Sequence, residues 1–441
     1  MKLTKASHME IYLYLVIYIL LIIGLSVYIS RSSSQEDFLI GGRNRGGWTI
    51  LFSKFASAIG VSTLITYTGY AYKFGWGLFA MSIGSVVGYL LFAFWAAPRI
   101  KKLSLQGNFY TQGDLPEFIT GNKTTSLITN SITIMVQFFW ILLSLAGGAK
   151  VITFFGLFSY DIALLVTTSV VLIYVLFSGF KAVILTDIIQ AFIIIAFLGI
   201  LIFGMLDIKD FSSVLGTSAN ETVQLGSIIG LVLYGGLSVF GLADRYQLCY
   251  AAKNVKSLKK GLGLAIIPVL LIAFLLLLIG LYVYNQNPGL DPDTVFVFAM
   301  QNLVNQSWIP LLLVLFFAGL MSTADTSIFA VSSHLVYKTK EDQKVKSLRY
   351  ATVITVVIAY ITALFWKSIV DITIVGAALR MTLSIAMIYI INKKNNSGRF
   401  IASALGGVIG LLIGLTVFGP KPTIAITVLL GSLLGLIYRS K

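Results

Sequence analysis

The chain has 441 residues, of which 57% are apolar and only 11% are charged. Soluble domains carry about 25% charged residues, so this composition excludes an ordinary soluble fold, and the high hydrophobicity excludes a disordered chain. The net charge of +15 would indicate a nucleic-acid partner for a soluble protein. In a membrane protein, however, Lys and Arg concentrate in the cytoplasmic loops.

Thirteen apolar runs follow one another along the chain, each long enough for a transmembrane helix. A bilayer core requires about 20 apolar residues per helix, and the ten-residue alternation of a membrane β-barrel does not occur in this sequence. The predicted fold is an all-α polytopic membrane protein with about 13 transmembrane helices. The runs lie at residues 9–30, 48–72, 74–97, 126–150, 158–178, 181–206, 222–243, 262–285, 308–336, 348–366, 368–391, 400–418 and 421–438.

The distribution of Lys and Arg gives these spans a direction. With the N-terminus outside, 23 of the 32 Lys and Arg residues fall in cytoplasmic segments and seven in external ones. This alternation follows the positive-inside rule and predicts a cell-membrane protein with a cytoplasmic C-terminus. It also removes the support for a nucleic-acid partner. The longest loop, 98–125, is too short for a soluble motor domain, so we expect transport to be driven by a gradient or by a partner. The sequence implies no obligate protein partner.

The second and the seventh predicted spans contain unusual glycines. The second span holds Gly60 and Gly69 in a run rich in Ser and Thr, and the seventh holds five glycines, among them the pair Gly235–Gly236. Interrupted helices of this kind expose backbone groups that coordinate ions and solutes at mid-membrane. The spacing predicts a single transporter domain with two inverted five-helix repeats, 48–206 and 222–391. One extra helix (9–30) precedes the repeats and two (400–438) follow them.

Glycine has a different meaning in the last two spans. Gly406, Gly410 and Gly414 recur every four residues, a pattern that lets two helices pack closely. We therefore expect these two helices to lie against each other.

Charged residues inside a bilayer indicate function, and few are present here. Ser322, Asp325 and Thr326 are spaced i, i+3, i+4 and share one helical face, and their oxygens suit a hard cation such as Na⁺. Asp187, in the sixth span, is predicted at a similar depth. Asp325 either contributes to a cation site or pairs with a basic residue, Arg380 or Lys54.

We expect different roles for the two basic residues that lie within spans. Arg380 lies mid-span, where it either holds a solute carboxylate or neutralises an aspartate. Lys54 is close enough to the cytoplasmic end for its long side chain to reach the interface. The chain's single cysteine, Cys249, and its two histidines leave little for hydrolytic or redox chemistry, so an enzyme is not predicted.

Six segments, in order along the chain, resemble the sodium/solute symporter family, which includes transporters of proline, pantothenate, sugars and sialic acid. The TD-x-x-Q and MST motifs are the most specific. The matching segments are DFLIGGR (Asp37–Arg43), ASAIGVSTLITYTGYAYKFG (Ala56–Gly75), DLPEF (Asp114–Phe118), SGFKAVILTDIIQ (Ser178–Gln190), ADRYQLCYAAKNVKS (Ala243–Ser257) and GLMSTADTS (Gly319–Ser327). In the fourth, Ser178 stands at a position usually occupied by Gly.

The resemblance implies a LeuT-like fold and a Na⁺ site between the first broken helix and the ninth span. By residue match, this main site comprises the carbonyls of Ala56, Ile59 and Gly319 and the hydroxyls of Ser322 and Thr323. Some family members have a second Na⁺ site. Its counterpart here would draw on Ser322 together with Asp187, Asp325 and Thr326, although Asp325 departs from members with a hydroxyl at that position.

The solute residues carry over less directly. Thr63 stands where sugar carriers have a larger polar residue, and Phe240 stands where proline carriers have Pro, which argues against both solutes. The solute residues predicted from the chain are Thr63, Gln137, Trp140, Tyr234 and Arg380. The predicted function is Na⁺-coupled symport of a small organic solute by alternating access, with Na⁺ as coupling ion. A proton-coupled symporter of the same fold and a non-transporting membrane solute sensor are the alternatives.

Overall fold

The computed structural model describes residues 5–30, 42–177, 180–206, 211–217, 224–336, 344–392 and 395–437. The regular secondary structure in these ranges is helical. In chain order the helices are α1 (Lys5–Ser30), α2 (Gly47–Ala58), α3 (Val61–Phe74), α4 (Phe79–Leu91), α5 (Ala97–Ser104), α6 (Asp114–Thr120), α7 (Lys123–Phe154), α8 (Tyr160–Phe177), α9 (Phe180–Leu206), α10 (Phe211–Leu215), α11 (Leu225–Leu237), α12 (Ala243–Ala251), α13 (Val255–Gln286), α14 (Val295–Leu303), α15 (Ile309–Val336), α16 (Lys344–Phe365), α17 (Ile369–Ile391), α18 (Ser397–Phe418) and α19 (Ile424–Ile437).

The all-helical prediction is confirmed, and each of the thirteen predicted spans has a helical counterpart. By length and apolar composition, nine helices within the described ranges can cross a membrane, or ten when one bent pair is taken as a single span. Two further apolar helices are shorter, at Tyr160–Leu176 and Ile424–Ile437. The count of thirteen crossings stays a prediction.

The chain turns sharply between α3 and α4. A 3₁₀ turn, Gly75–Leu78, joins them, and Gly75 has φ +53°, a conformation that favours glycine. The hydroxyl oxygens of Tyr67 and Ser82 are 2.5 Å apart, whereas a straight helix would separate residues 15 positions apart by about 22 Å. The second and third predicted spans are therefore separate helices joined by a sharp turn.

The first predicted helix interruption lies between α2 and α3. Ile59 (φ −110°, ψ 57°) and Gly60 (φ −84°, ψ 172°) leave the helical conformation. Backbone groups at such a break lack their usual partners within the helix. They are thus available to a ligand, as the sequence predicted for this span.

The second predicted interruption lies at the end of the seventh span, next to Gly241, the last of its five glycines. α11 continues through Gly235 and Gly236, a 3₁₀ turn follows at Ser238–Gly241, and the axis bends by 44° before α12. Gly235 instead lets α4 approach, because a Cβ atom there would lie 2.2 Å from the Met81 carbonyl oxygen. α12 lies in the connection between the seventh and eighth predicted spans.

The packing of the two broken helices is reciprocal. α2 packs along α13, and α11 packs along α4, so each broken helix contacts the helix that follows the other. Likewise α9 packs on α2 and α15, whereas α17 packs on the turn after α11 and on α7. An exchange of this kind is expected when two inverted repeats are related by a pseudo-two-fold axis. The repeat boundaries at 48–206 and 222–391 stay a prediction.

α15 and α17 form the centre of the bundle. In the most apolar 18-residue stretch of each helix, 83% is buried inside the protein, whereas the corresponding share for α1, at the periphery, is 22%. A helix that is apolar all round and buried packs inside the protein rather than against lipid. The polar residues of α15 and α17 therefore face other helices.

The last two helices, α18 and α19, pack closely as predicted. A Cβ atom at Gly406 would lie 2.3 Å from the Gly431 carbonyl oxygen, and one at Gly431 would lie 2.1 Å from the carbonyl oxygen of Gly406. Only glycine permits this approach of the two backbones.

Candidate functional site

The first helix break lies directly against α15. A Cβ atom at Gly60 would lie 1.8 Å from Thr323 Oγ1, and one at Gly319 would lie 3.2 Å from the carbonyl oxygen of Ile59. The Thr323 hydroxyl donates to the Gly319 carbonyl at 3.3 Å. The carbonyl of Ala56, near the end of α2, accepts from the Ile59 amide at 3.2 Å. The structure thus brings Ile59, Gly319 and Thr323 together, with Ala56 less than one turn away.

Ser322 faces α9, beside this group. Its hydroxyl donates to Asp187 Oδ1 at 2.7 Å, and the Ser53 hydroxyl donates to Asp187 Oδ2 at 2.8 Å. All three side chains are buried. Because the Ser322 hydroxyl is the donor in its hydrogen bond with the carboxylate, the lone pairs of its oxygen remain free to face a cation.

Asp325 has a different set of partners. It accepts from the Tyr174 hydroxyl at 2.8 Å through Oδ2 and from the backbone amide of Thr326 at 2.6 Å through Oδ1. The interhelical pair with Arg380 or Lys54 that the sequence left open is not among the described ion pairs; Lys54 pairs with a different carboxylate. Asp187 and Asp325 are therefore held by separate groups of residues.

The TDIIQ motif connects α9 to its neighbours. Thr186 shares a 2.8 Å hydrogen bond with the Tyr174 hydroxyl of α8, and Gln190 donates to the Tyr18 hydroxyl of α1 at 3.2 Å. Together with the two serine contacts of Asp187, these bonds join α9 to four helices. Two parts of the sequence motifs, residues 37–41 and residues 178–179, lie outside the described residues.

The second break lies against α17. A Cβ atom at Gly241 would lie 2.0 Å from the Arg380 carbonyl oxygen, so glycine is required for this approach. The Arg380 guanidinium carbon lies 4.7 Å from the ring centroid of Trp140, a cation–π distance. Tyr234 donates to the Ile374 carbonyl at 3.4 Å. α17 thus places an arginine beside the break.

A cavity of about 200 Å³ lies between the two breaks. All five predicted solute residues line it, together with Ile59, Thr323 and Thr326. The Thr63 hydroxyl is already engaged, donating to the Ala58 carbonyl at 2.9 Å. Three of the predicted ion residues therefore line the same cavity as the predicted solute residues.

A cluster of charged side chains forms one part of the cavity wall and was not predicted. Lys54 Nζ lies 3.6 Å from Asp244 Oδ2, Asp244 also pairs with Arg245, and Arg245 donates to the Tyr89 hydroxyl at 2.5 Å. Lys54 is only 1% exposed. The expectation that it reaches the interface was wrong, because Asp244 offers the ammonium group a buried partner. α12, which carries Asp244 and Arg245, also holds the fully buried Cys249.

A second unpredicted contact lies in the turn before α14. Asp293 accepts from the backbone amides of Ile369 and Val370, both at 3.0 Å, and pairs with Lys150 at the end of α7. A carboxylate at a helix N-terminus stabilises the unpaired amides there. This contact fastens the start of α17 to α7 and to the loop after α13.

The sequence profile described as the sodium:solute symporter family matches residues 38–435, nearly the whole chain. The chain belongs to this family. The symporter is accordingly a multi-pass membrane protein that performs Na⁺-coupled symport and is a transporter rather than an enzyme. Sodium is the coupling ion that the family implies.

Curated relatives are consistent with this family. Sodium/proline symporters of Staphylococcus aureus, from strains Newman and JH9, are 27% identical to the symporter over 348 residues. The match covers 75% of this chain and 68% of each relative. These comparisons favour neither the proton-coupled alternative nor the sensor.

Solved structures share the fold of the symporter. A Na⁺-coupled sialic acid symporter in a substrate-bound outward-open state superposes with a TM-score of 0.76 at 16% identity, covering 98% of both chains. MHP1, a nucleobase-cation-symport-1 family transporter in a closed conformation, gives a TM-score of 0.62 at 13% identity, covering 92% of this chain and 94% of its own. The LeuT-like fold predicted from the sequence is confirmed.

Proposed function

We propose that this symporter moves a small organic solute into the cell together with Na⁺ by alternating access. It would lie in the cell membrane with an external N-terminus and a cytoplasmic C-terminus, as the alternation of Lys and Arg predicts. The observation that carries the proposal is the contact of Gly319 and Thr323 with the first helix break at Ile59 and Gly60. This contact gathers oxygen atoms from two halves of the bundle at one point.

The main Na⁺ site is assigned to the carbonyls of Ala56, Ile59 and Gly319 and to the hydroxyls of Ser322 and Thr323. Carbonyl and hydroxyl oxygens are the ligands that hard cations prefer. Because α2 and α15 both contribute ligands, an ion bound here would favour the arrangement in which the two helices are in contact.

A second Na⁺ is assigned to Asp187, Asp325 and Thr326, next to the first. Asp187 supports this assignment, since it already binds Ser322 of the main site. Asp325 would have to share its oxygens with Tyr174 and the Thr326 amide.

The solute is assigned to the cavity lined by Thr63, Gln137, Trp140, Tyr234 and Arg380. Ile59, Thr323 and Thr326 line the same cavity, so ion and solute would stabilise one arrangement of the broken helices. Such coupling is reciprocal: Na⁺ raises the affinity for solute by the same factor as solute raises the affinity for Na⁺. The membrane potential adds about 2.3 kcal/mol per charge per 100 mV to the driving force.

The test is purification of the full chain, reconstitution in liposomes, and measurement of solute uptake under a pure Na⁺ gradient and a pure pH gradient. Accumulation under the Na⁺ gradient alone is expected, and accumulation that follows only the pH gradient would reject Na⁺ coupling.

Site variants test the ion assignment itself. Ser322→Ala and Thr323→Ala should raise the Na⁺ concentration for half-maximal uptake at least tenfold. Ser332→Ala is the matched control on α15, because the Ser332 hydroxyl bonds Thr352 at 2.9 Å, away from the cavity. An unchanged Na⁺ requirement in the first two variants would remove those residues from the site.

A further inference from the structure

Arg380 is a buried cation for which the described part of the chain supplies no carboxylate. It is 8% exposed, and its Nε has no hydrogen-bond partner. The other buried cations of the cavity wall, Lys54 and Arg245, both pair with Asp244. A buried charge without a partner is costly, and in membrane proteins such a residue indicates a functional site.

The position of Arg380 leaves its donors free for a ligand. Its guanidinium lies over the face of Trp140 at 4.7 Å, and both residues line the cavity. Stacking occupies the face of the guanidinium and leaves the N–H groups at its edge. These groups form a fork that matches a carboxylate through two parallel hydrogen bonds.

The cavity as a whole carries an excess of positive charge. Its basic lining groups are Lys54, Arg245 and Arg380 against the single carboxylate of Asp244. Asp244 Oδ2 is engaged by both Lys54 and Arg245. Its Oδ1 has no partner and can accept from a hydroxyl or water, but an ammonium group there would be the third cation on one carboxylate.

We propose that the solute of the symport mechanism put forward above, on which this inference rests, is a small organic carboxylate without an ammonium group, and that Arg380 binds its carboxylate. Such an anion reduces the positive excess of the cavity, whereas an amino acid leaves it unchanged. Ligand pockets for larger molecules reach about 300–1,000 Å³, so a cavity of about 200 Å³ suits a solute of few carbons. This specificity differs from the amino-acid solute named for the S. aureus relatives.

Matched series of compounds test this specificity on the purified full chain. The first series is lactate, alanine and lactamide; the second is cyclopentanecarboxylate, L-proline and cyclopentanecarboxamide. Thermal unfolding is followed with each compound in NaCl and in KCl. In NaCl at least one carboxylate should stabilise the protein at a concentration at least tenfold lower than its amino-acid and amide counterparts require. Equal or better binding of the amino acids, or stabilisation by none of the carboxylates, would overturn the proposal.

Variants of Arg380 identify the carboxylate-binding group. Arg380→Gln should weaken carboxylate binding at least tenfold, and Arg380→Lys, which keeps the charge but loses the fork, should give an intermediate loss. Arg99→Gln is the matched control, because Arg99 stacks on Trp95 at 5.0 Å outside the cavity. Unchanged carboxylate binding in both Arg380 variants would remove Arg380 from the solute site.

Na⁺ alone separates this proposal from the proposed function. Stabilisation of the wild type by NaCl over KCl without solute, lost in Ser322→Ala, reports the ion site. If that response is present and the carboxylates fail, only the solute class is wrong. If the response is absent and no Na⁺ gradient drives uptake, the proposed function itself fails.

Discussion

Ser322 on α15 donates a 2.7 Å hydrogen bond to Asp187 on α9, although 135 residues separate them in the sequence. Asp187 also accepts from Ser53 on α2, so one carboxylate joins three helices. α2 bears the first break and α15 bears the proposed ion ligands. Any movement of α2 relative to α15 must therefore change the surroundings of Asp187.

Asp187→Asn should raise the Na⁺ concentration for half-maximal uptake at least tenfold, equivalent to about 1.4 kcal/mol. The amide removes the negative charge beside the ion and can no longer accept from both serines. Na⁺-dependent uptake in liposomes measures this effect. Asp161→Asn is the control, since Asp161 is exposed and its ion pair with Lys367 is long, at 4.0 Å. An Asp187 variant with the wild-type Na⁺ requirement would show that the carboxylate does not act on the ion.

Tyr174→Phe should lower the melting temperature, because it leaves Asp325 Oδ2 buried without its donor. The cost of such an unsatisfied group is about 1–3 kcal/mol. Asp325→Ser in the same chain should remove most of that penalty, so the two changes should not be additive. Thermal unfolding of both single variants and the double variant tests this. Tyr28→Phe, at a position 76% exposed, is the control. If the stability changes of the two single variants added up in the double variant, the predicted coupling of Tyr174 and Asp325 would be wrong.

Gly241→Ala should strongly reduce stability and solute binding together. Its Cβ would lie 2.0 Å from the Arg380 carbonyl oxygen, and a backbone atom in a packed helix can move aside only with its helix. Displacement of α17 would carry Arg380 away from Trp140. The comparison is Gly199→Ala, which meets no atom within 4 Å and should be neutral or slightly stabilising. Thermal unfolding and solute titration give the two readouts; a Gly241 variant with normal solute affinity would contradict this placement of α17.

Asp293→Ala should lower the melting temperature by a few degrees and slow uptake. The change leaves the amides of Ile369 and Val370 and the ammonium of Lys150 without their acceptor. Asp291→Asn serves as the control, because asparagine still accepts the Asp293 amide as a cap. Melting curves and initial uptake rates decide the outcome, and a variant equal to the wild type in both would show that this contact contributes nothing to the folded structure.

The two helix breaks illustrate how far the sequence could predict this structure. The break at Gly60 was predicted because glycine among Ser and Thr in an apolar run is a local signal. The second was predicted only for the seventh span as a whole: among its five glycines, Gly235 serves packing against α4, and the bend follows at Leu242. Local patterns do not separate these two uses of glycine.

The charged cluster shows why part of the site was missed. Lys54 and Asp244 pair across 190 positions, and Tyr174 reaches Asp325 across 151. Lys54, Asp244 and Tyr174, taken alone, each resemble an ordinary residue near the end of a span. Only the folded structure, which brings Lys54 to Asp244 and packs α8 on α15, gives these residues their roles, and a single sequence carries no record of these contacts. The five solute residues share the cavity wall because their helices carry the two breaks or pack beside them.

Cys249 is the only thiol in the chain. It is fully buried on α12, the helix that also presents Asp244 and Arg245 to the cavity. A maleimide can reach this sulfur only when α12 separates from its neighbours. The unmodified protein therefore contains its own conformational reporter: the rate of Cys249 alkylation with and without Na⁺ follows the opening of this side of the transporter without a single engineered residue.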